Sequence, residues 1–165
     1  MLIRPLDPES QGEIELVAKR MRETLIEVLG EEEGSNYYTM DWLIQRVRFH
    51  LDGEGCVGGV YLCEDAAGTI IGHTIVRIEP DGSGLISTIF VVPDERKHGV
   101  ASALIGRAEE WMVEKGLPTI TTYTAQDNTK LQRLLFKRGY EIVLKKDDMV
   151  ALTRSLLTEA PSHST

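Results

Sequence analysis

The sequence predicts one α/β domain, of the α+β type, with the element order β-α-α-β-β-β-α-β-α-β-β. Three observations predict it. Apolar residues recur at helical spacing as far as Gly30, where a polar loop begins. After Gly59 the period becomes that of strands, and three consecutive β-rich segments follow. From Val100 the helical period returns, which predicts a crossover helix after an initially antiparallel sheet.

Turn and capping residues set the boundaries of these elements. Ser10 announces the first helix and Gly30 ends it, while Asp65 to Gly68 form a hairpin turn between two strands. Residues 1–157 are predicted to be the domain, and residues 158–165 a flexible tail. The predicted elements are strand 1–6, helices 14–29 and 40–51, strands 60–64, 69–78 and 85–92, helix 100–115, strand 119–124, helix 128–137 and two closing strands within 139–152.

Composition limits the classes of function. The chain has 165 residues, of which 42% are hydrophobic and 27% charged, as in an ordinary globular domain. Its net charge of −8 disfavours a nucleic-acid partner. No apolar run approaches the ~18 residues of a membrane span, and the first residues lack a signal-peptide core, so no membrane partner is expected. Cys56 and Cys63 lie seven residues apart, a spacing that fits neither a zinc site nor a C-x-x-C redox motif. The sequence therefore predicts no metal site, and two free thiols are expected for a protein of the reducing cytoplasm.

The most informative stretch runs from Ile89 to Ile105, where a buried strand meets Pro93, turns through a charged loop and enters a helix. The first N–H groups of a helix lack internal partners, and the helix dipole favours an anion there. Small residues at Gly99 and Ala101 let a phosphate approach the backbone. The pattern therefore predicts an anion site, although an ordinary connection with solvated basic residues would look alike.

Two segments resemble the signatures of the GNAT superfamily of N-acetyltransferases. Residues 96–101, Arg-Lys-His-Gly-Val-Ala, fit its acetyl-CoA-binding motif R/Q-x-x-G-x-G/A. Residues 128–140 resemble its second signature, N-x-x-A-x-x-L-Y-x-x-x-G-F, with Leu131 in place of Ala and Leu135 in place of Tyr. The order of elements agrees with the family from Met1 to about Leu156. The resemblance implies a mixed, mostly antiparallel sheet with helices on both faces.

The resemblance also implies how acetyl-CoA is bound. Main-chain groups of the fourth strand would pair with the pantetheine arm, and amides of the following loop would hold the pyrophosphate. Asn128 would touch the pantetheine, although Asn is a favoured helix cap in any protein. The implied cofactor-binding residues are Ile89, Phe90, Val91, Arg96, Lys97, His98, Gly99, Val100, Ala101 and Asn128.

In the resembled family a neutral amine attacks the thioester directly, a base takes its proton and an acid, often a Tyr, protonates the thiolate. Leu135 occupies the position of that Tyr and cannot donate a proton. Tyr123 occupies the strand position where some members carry a base Glu, so it is the candidate catalytic residue. The alternative for Tyr123 is an aromatic packed in the sheet. His50 and His73 are expected to be surface or half-buried structural residues.

Residues 23–45 contain six acidic side chains and no Lys or Arg. In the resembled fold this region borders the acceptor site, so Tyr37 and Tyr38 are the predicted substrate-binding residues, with Trp42 beside them. Carboxylates and aromatic rings suit a cationic amine. The alternative is a solvated acidic helix end followed by anchoring aromatics.

The predicted function is transfer of an acetyl group from acetyl-CoA to a primary amine, either a small cationic amine or a peptide or protein amine. The alternative is a GNAT-like acyl-CoA-binding sensor or interaction module without turnover, which the departures at Leu135 and the absent strand carboxylate favour. Since family members often pair, a homodimer also agrees with the resemblance.

Overall fold

The computed structural model describes residues 1–33, 38–96 and 99–157. Its elements follow the predicted order, and most boundaries lie within two or three residues of the predicted ones. They are β1 (Leu2–Pro5), α1 (Gln11–Leu29), α2 (Met40–Phe49), β2 (Gly58–Glu64), β3 (Ile70–Ile78), β4 (Gly84–Val91), a short 3-10 turn (Pro93–Glu95), α3 (Val100–Glu114), β5 (Thr119–Ala125), α4 (Thr129–Lys137), β6 (Glu141–Lys146) and β7 (Met149–Ser155).

The seven strands form one sheet in the order β1-β2-β3-β4-β5-β7-β6. Five of the six strand pairs are antiparallel, and β4 with β5 is the parallel pair. A parallel pair needs a crossover connection, and α3 supplies it. The predicted fold class, a mixed and mostly antiparallel sheet, is confirmed.

Helices cover both faces of the sheet. Neighbouring residues of a strand point to opposite faces, and in β3 Ile75 packs with α1 and α2 whereas Val76 packs with α3 and α4. α1 begins where the Ser10 hydroxyl accepts a hydrogen bond from the Glu13 amide, and it ends at Gly30 with a φ of 92°. These two apolar clusters hold the helices against the sheet, and a third one packs Val91, at the end of β4, against Val100 and Leu104 of α3.

The sheet opens between β4 and β5. Their pairing covers Gly84 to Ile86 against Ile120 to Thr122. Farther along, β4 stays paired with β3 and β5 with β7. The register against β3 shifts at Ser87, because Ile86 pairs with Val76 but Thr88 pairs with Ile75. An extra residue of this kind bends a strand, and here it coincides with the point at which the two strands part.

A buried ionic network joins α3 to the end of α4 and to β7. Glu109 is 8% exposed and accepts hydrogen bonds from Arg138 at 2.6 and 3.1 Å and from the Tyr140 hydroxyl at 3.0 Å. Arg154 Nη1 lies 2.9 Å from Glu109 Oε2, the oxygen that also accepts the hydrogen bond from Tyr140. Burial and the Glu109 carboxylate raise the pKa of Tyr140. The network therefore keeps the crossover helix and the second half of the sheet in fixed relation.

Two absences hold for the described ranges. No group of three or more His, Cys, Asp or Glu side chains there could hold a metal ion. None of the helices in the same ranges combines the length and apolar character needed to cross a bilayer. Cys56 and Cys63 are free thiols.

Candidate active site

A cavity of about 750 Å³ lies where β4 and β5 separate. Its volume is in the range of small-molecule and cofactor sites. Its wall comes from the end of β4, the turn after it, the second half of α1 and the start of α4. Six of the predicted cofactor-binding residues line it, namely Ile89, Phe90, Val91, Arg96, Ala101 and Asn128.

The backbone of β4 offers one free edge to this cavity. β3 pairs with the opposite edge as far as Val91, whereas pairing with β5 ends at Ile86. The last five residues of β4 therefore present one edge that is not paired with β5. An extended ligand rich in amide groups can pair with such an edge as a strand does.

The N-terminus of α3 has no side-chain cap. Gly99 is its N-cap residue and adopts the left-handed conformation, with φ 77° and ψ 10°. A Cβ at Gly99 would have no atom within 4 Å, so the space beside it is open. Ala101 lines the cavity. The free N–H groups and the dipole of this 15-residue helix therefore favour an anion at this end of the cavity.

Arg96 places a positive charge beside that helix. Its Nε donates a hydrogen bond to the carbonyl oxygen of Val91 at 3.0 Å, which ties the turn to the end of β4. The side chain of Val100 is buried and packs with Leu104, so Val100 can contribute only main-chain groups. The predicted residues Lys97 and His98 lie outside the described residues.

Asn128 serves as a cap and also lines the cavity. Its Oδ1 accepts a hydrogen bond from the Leu131 amide at 3.2 Å, and its Nδ2 donates to the Thr124 hydroxyl at 3.2 Å. Gln132 donates to the carbonyl oxygens of Ala125 and Gln126. These bonds fix the turn between β5 and α4 against the cavity.

The position of the acid Tyr in the resembled motif is a core position here. Leu135 is fully buried in the cluster on the α3 side of the sheet. Leu131 and Leu134, on the same helix, line the cavity instead. The start of α4 therefore lines the cavity with Leu131 and Leu134 beside Lys130, and no hydroxyl stands at the motif's Tyr position.

Tyr123 does not line the main cavity. It is 55% exposed and borders a second cavity of about 260 Å³, formed with the β6–β7 hairpin. Its neighbours in β5, Thr122 and Thr124, are buried on the other face of the strand. Since Tyr123 directly follows the last residue paired with β4, it stands beside the opening, and its catalytic role stays a prediction.

One wall of the cavity is formed by α1. Thr24, Glu27 and Val28 line it, and their spacing of three and four residues places them on one face of the helix. Sequence reasoning counted Glu27 only as one member of an acidic stretch. The helical spacing was the signal that could have singled it out.

Tyr38 belongs to the support of the α1–α2 connection. It is half-buried, its ring meets Trp42 edge-on at 5.5 Å, and its carbonyl oxygen accepts a hydrogen bond from Arg22. It is not among the residues that line the cavity. Tyr37 lies outside the described residues, so the prediction that both tyrosines bind substrate remains untested.

The two histidines of the sequence analysis are buried. His50 has its Nδ1 2.8 Å from the carbonyl oxygen of Arg46 and its Nε2 3.0 Å from Arg77. The proton is therefore assigned to Nδ1. Burial lowers the pKa of His50 to about 4 and that of His73 to about 3. Both rings are neutral near pH 7. The expectation of surface or half-buried positions is wrong, because the sheet and its helices enclose both side chains, which are 2% and 0% exposed.

Comparisons with known proteins agree with this geometry. Residues 18–140 match the model of the acetyltransferase (GNAT) family. An acetyltransferase of Sodalis glossinidius (strain morsitans) is 28% identical over 100 residues, which cover 61% of this chain and 68% of that protein.

Two solved structures share the fold. PaiA N-acetyltransferase from Thermoplasma acidophilum, in complex with coenzyme A, has a TM-score of 0.74 at 17% identity, covering 93% of this chain and 98% of its own. A variant of the spermidine N-acetyltransferase of Vibrio cholerae has a TM-score of 0.68 at 17% identity, covering 94% and 95%. These matches confirm the predicted fold.

Proposed function

Since the chain belongs to the acetyltransferase (GNAT) family, we propose that it transfers an acetyl group from acetyl-CoA to a primary amine. One observation carries the proposal. A single cavity combines the free edge of β4 with the uncapped N-terminus of α3. The first suits an amide-containing arm, and the second suits a pyrophosphate.

In this proposal the predicted cofactor-binding residues contact three parts of the cofactor site. The main chain of Ile89 to Val91 pairs with the pantetheine arm, and the amides from Arg96 to Ala101 bind the pyrophosphate. The Arg96 guanidinium adds charge at the same end. Asn128 holds the start of α4 against the arm through its capping bonds.

The reaction is direct acyl transfer. The neutral amine nitrogen attacks the thioester carbonyl carbon, the C–S bond breaks, and the CoA thiolate leaves. The proton lost from the amine passes to water or a base. A thiol has a pKa near 8.5, so the thiolate can leave without obligatory protonation. Most of the rate enhancement then comes from positioning the amine and from electrostatic stabilisation.

Two residues have proposed roles in attracting the amine and in protonating the thiolate. Glu27 in the cavity wall attracts the ammonium form of the acceptor. Tyr123, at the start of the opening, is the proposed proton donor to the thiolate, with water as the alternative. The proposed acceptor class is a small cationic amine or a peptide amine. The two free thiols suit a reducing compartment such as the cytoplasm.

The test begins with binding. Acetyl-CoA at 100 times its Kd should stabilise the protein by about 2.7 kcal/mol and raise its Tm by roughly 5–10 °C. A melting curve that stays unchanged at millimolar acetyl-CoA would contradict the proposal. Release of free CoA thiol in the presence of a panel of primary amines then measures turnover.

A second candidate function is acyl-CoA binding without turnover. Two observations favour it, because Leu135 is a core residue and Tyr123 lies outside the lining of the cavity. A module of this kind would show the CoA-induced rise in Tm and release no thiol with any amine of the panel. Turnover above the rate of the buffer alone would exclude it.

A further inference from the structure

Arg20 is a half-buried cation that lies over Phe90, a residue of the cavity wall, and it forms no ion pair with any described residue. It lies on α1 one turn before Thr24, which lines the cavity and donates a hydrogen bond to the Arg20 carbonyl oxygen at 3.0 Å. Its guanidinium carbon lies 5.5 Å from the centre of the Phe90 ring, and Phe90 also lines the cavity. Its Nη1 is buried and has no hydrogen-bond partner within the described part of the chain.

His73 is a second polar residue without partners at the same place. It pairs with Phe90 across β3 and β4, and the two rings stack at 5.4 Å. The ring is fully buried, and neither nitrogen has a hydrogen-bond partner among the described residues. A buried polar group without a hydrogen-bond partner destabilises the folded protein. Both groups contact Phe90, which lines the cavity, so the unused donor of Arg20 lies where a polar group of a ligand could reach it.

The charges around Arg20 favour an anionic ligand. Arg20 forms no ion pair with any described residue, and the acidic residue that acts on it, Glu23, is exposed. Burial lowers the pKa of Arg20. A carboxylate would restore the lost hydrogen bonds, because the planar guanidinium matches a carboxylate with two parallel bonds.

We propose that Arg20 binds a carboxylate of the acceptor, with His73 as the polar residue next to it. The acceptor is then an amine that also carries a carboxylate, which deepens the proposed function and rests on it. Arg20 and Glu27 are seven residues apart, about 10 Å along the same face of α1. α1 thus presents a positive and a negative group to the two ends of one zwitterionic acceptor.

The test compares two amines that differ by one carboxylate. Lysine and cadaverine have the same chain and terminal amine, but only lysine carries the carboxylate. Calorimetric titration of each into the CoA complex needs no turnover. We expect lysine to bind about tenfold or more tightly than cadaverine, in keeping with charge-assisted hydrogen bonds.

Variants assign that preference to the guanidinium. Arg20→Gln should reduce the ratio of the two affinities to about one, and Arg20→Lys should retain only part of it, because a point charge cannot make the paired bonds. Lys19→Gln removes the same charge from an exposed neighbouring position and should keep the full ratio.

Peptides identify the source of the carboxylate. A peptide ending in lysine is compared with the same peptide amidated at its C-terminus. If only the two peptides differ in affinity, the acceptor is a peptide. If only lysine and cadaverine differ in affinity, the acceptor is a free amino acid. Both results support the proposal.

Three results would overturn this inference while acetyl-CoA still raises the Tm. They are equal binding of lysine and cadaverine together with equal binding of the two peptides, a preference that survives Arg20→Gln, and failure of all four probes to bind. Loss of the CoA-induced rise in Tm would instead contradict the proposed function itself.

Discussion

At the scale of single residues, Gly99 has the most direct link to ligand binding. Its left-handed φ and the open space beside it leave the N-terminus of α3 free. We expect Gly99→Glu to abolish the CoA-induced rise in Tm, because the new carboxylate occupies the anion site and repels pyrophosphate. The measurement is the difference in Tm with and without acetyl-CoA, so a change in the stability of the free protein does not interfere.

The matched control for this change is Gly116→Glu. Gly116 also has a positive φ, of 68°, is exposed and has open space beside it, but it follows the other end of α3. It bears the same strain and the same added charge far from the cavity. Gly116→Glu should therefore keep the full CoA effect, and equal behaviour of the two variants would place the pyrophosphate elsewhere.

The proposed proton donor is tested by removing one oxygen atom. Tyr123→Phe should lower kcat by roughly ten- to a thousandfold, the range of general acid catalysis, and leave the CoA-induced rise in Tm unchanged. The ring stays in place, so packing against the β6–β7 hairpin is preserved. If kcat equals that of the parent, water supplies the proton and Tyr123 is only a packing residue.

At the scale of elements, the Glu109 network decides how firmly α3 is attached to α4 and β7. Glu109→Gln leaves Arg138 and Arg154 facing a neutral amide. We expect the free energy of unfolding to fall by about 2–3 kcal/mol, below the cost at a fully buried pair because both arginines are partly solvated. Urea unfolding measures the change.

Glu110 offers the control from the next position of the same helix. Its side chain is 69% exposed and forms one long ion pair with Arg107, at 3.4 Å. Glu110→Gln should change the free energy of unfolding by less than about 0.5 kcal/mol. Equal losses in the two variants would mean that the Glu109 network contributes no more than a surface pair.

Sequence patterns predicted these elements well because they are local properties. Helical spacing, Gly30 and the hairpin turn determine where an element begins and ends, whatever lies around it. The grouping of residues 89–101 could be predicted for the same reason, since they follow one another along the chain. The structure places Ile89, Phe90, Val91, Arg96 and Ala101 in one cavity wall.

The wall of the cavity formed by α1 could not be predicted in this way, because it depends on packing between distant segments. Arg20 and Phe90 are 70 positions apart and meet only after α1 packs on the sheet. The same holds for His73, which the sequence alone could not distinguish from a surface histidine. The sequence motif marks Leu135 only as a position without the proton-donating Tyr, whereas packing makes this residue part of the core.

At the scale of the whole molecule, two buried neutral histidines make stability depend on pH. The unfolded chain binds protons at His50 and His73 near pH 6.5, but burial lowers the pKa of these residues to about 4 and about 3. Between these values the unfolded chain holds more protons than the folded protein. The free energy of unfolding should therefore fall as the pH falls from 6.5 toward 4.

His50→Asn isolates one of these contributions, since the amide of Asn can still donate to the Arg46 carbonyl oxygen. We expect the variant to lose about 2 kcal/mol less than the parent between pH 7 and pH 5, as measured by urea unfolding at both values. His163→Asn, in the predicted tail, should leave the pH dependence unchanged. If His50→Asn also leaves it unchanged, the pKa of His50 is not lowered.

The sheet is divided into two parts by the short pairing between β4 and β5. Its two stiff halves are joined over three residues of each strand, and β4 continues for roughly 17 Å beyond this pairing. A rotation of about 5° between the halves displaces the far end by roughly 1.5 Å and hardly moves the joined end. Substitutions in β7 or at Glu109 that alter this angle would in this way widen or narrow the mouth of the cavity.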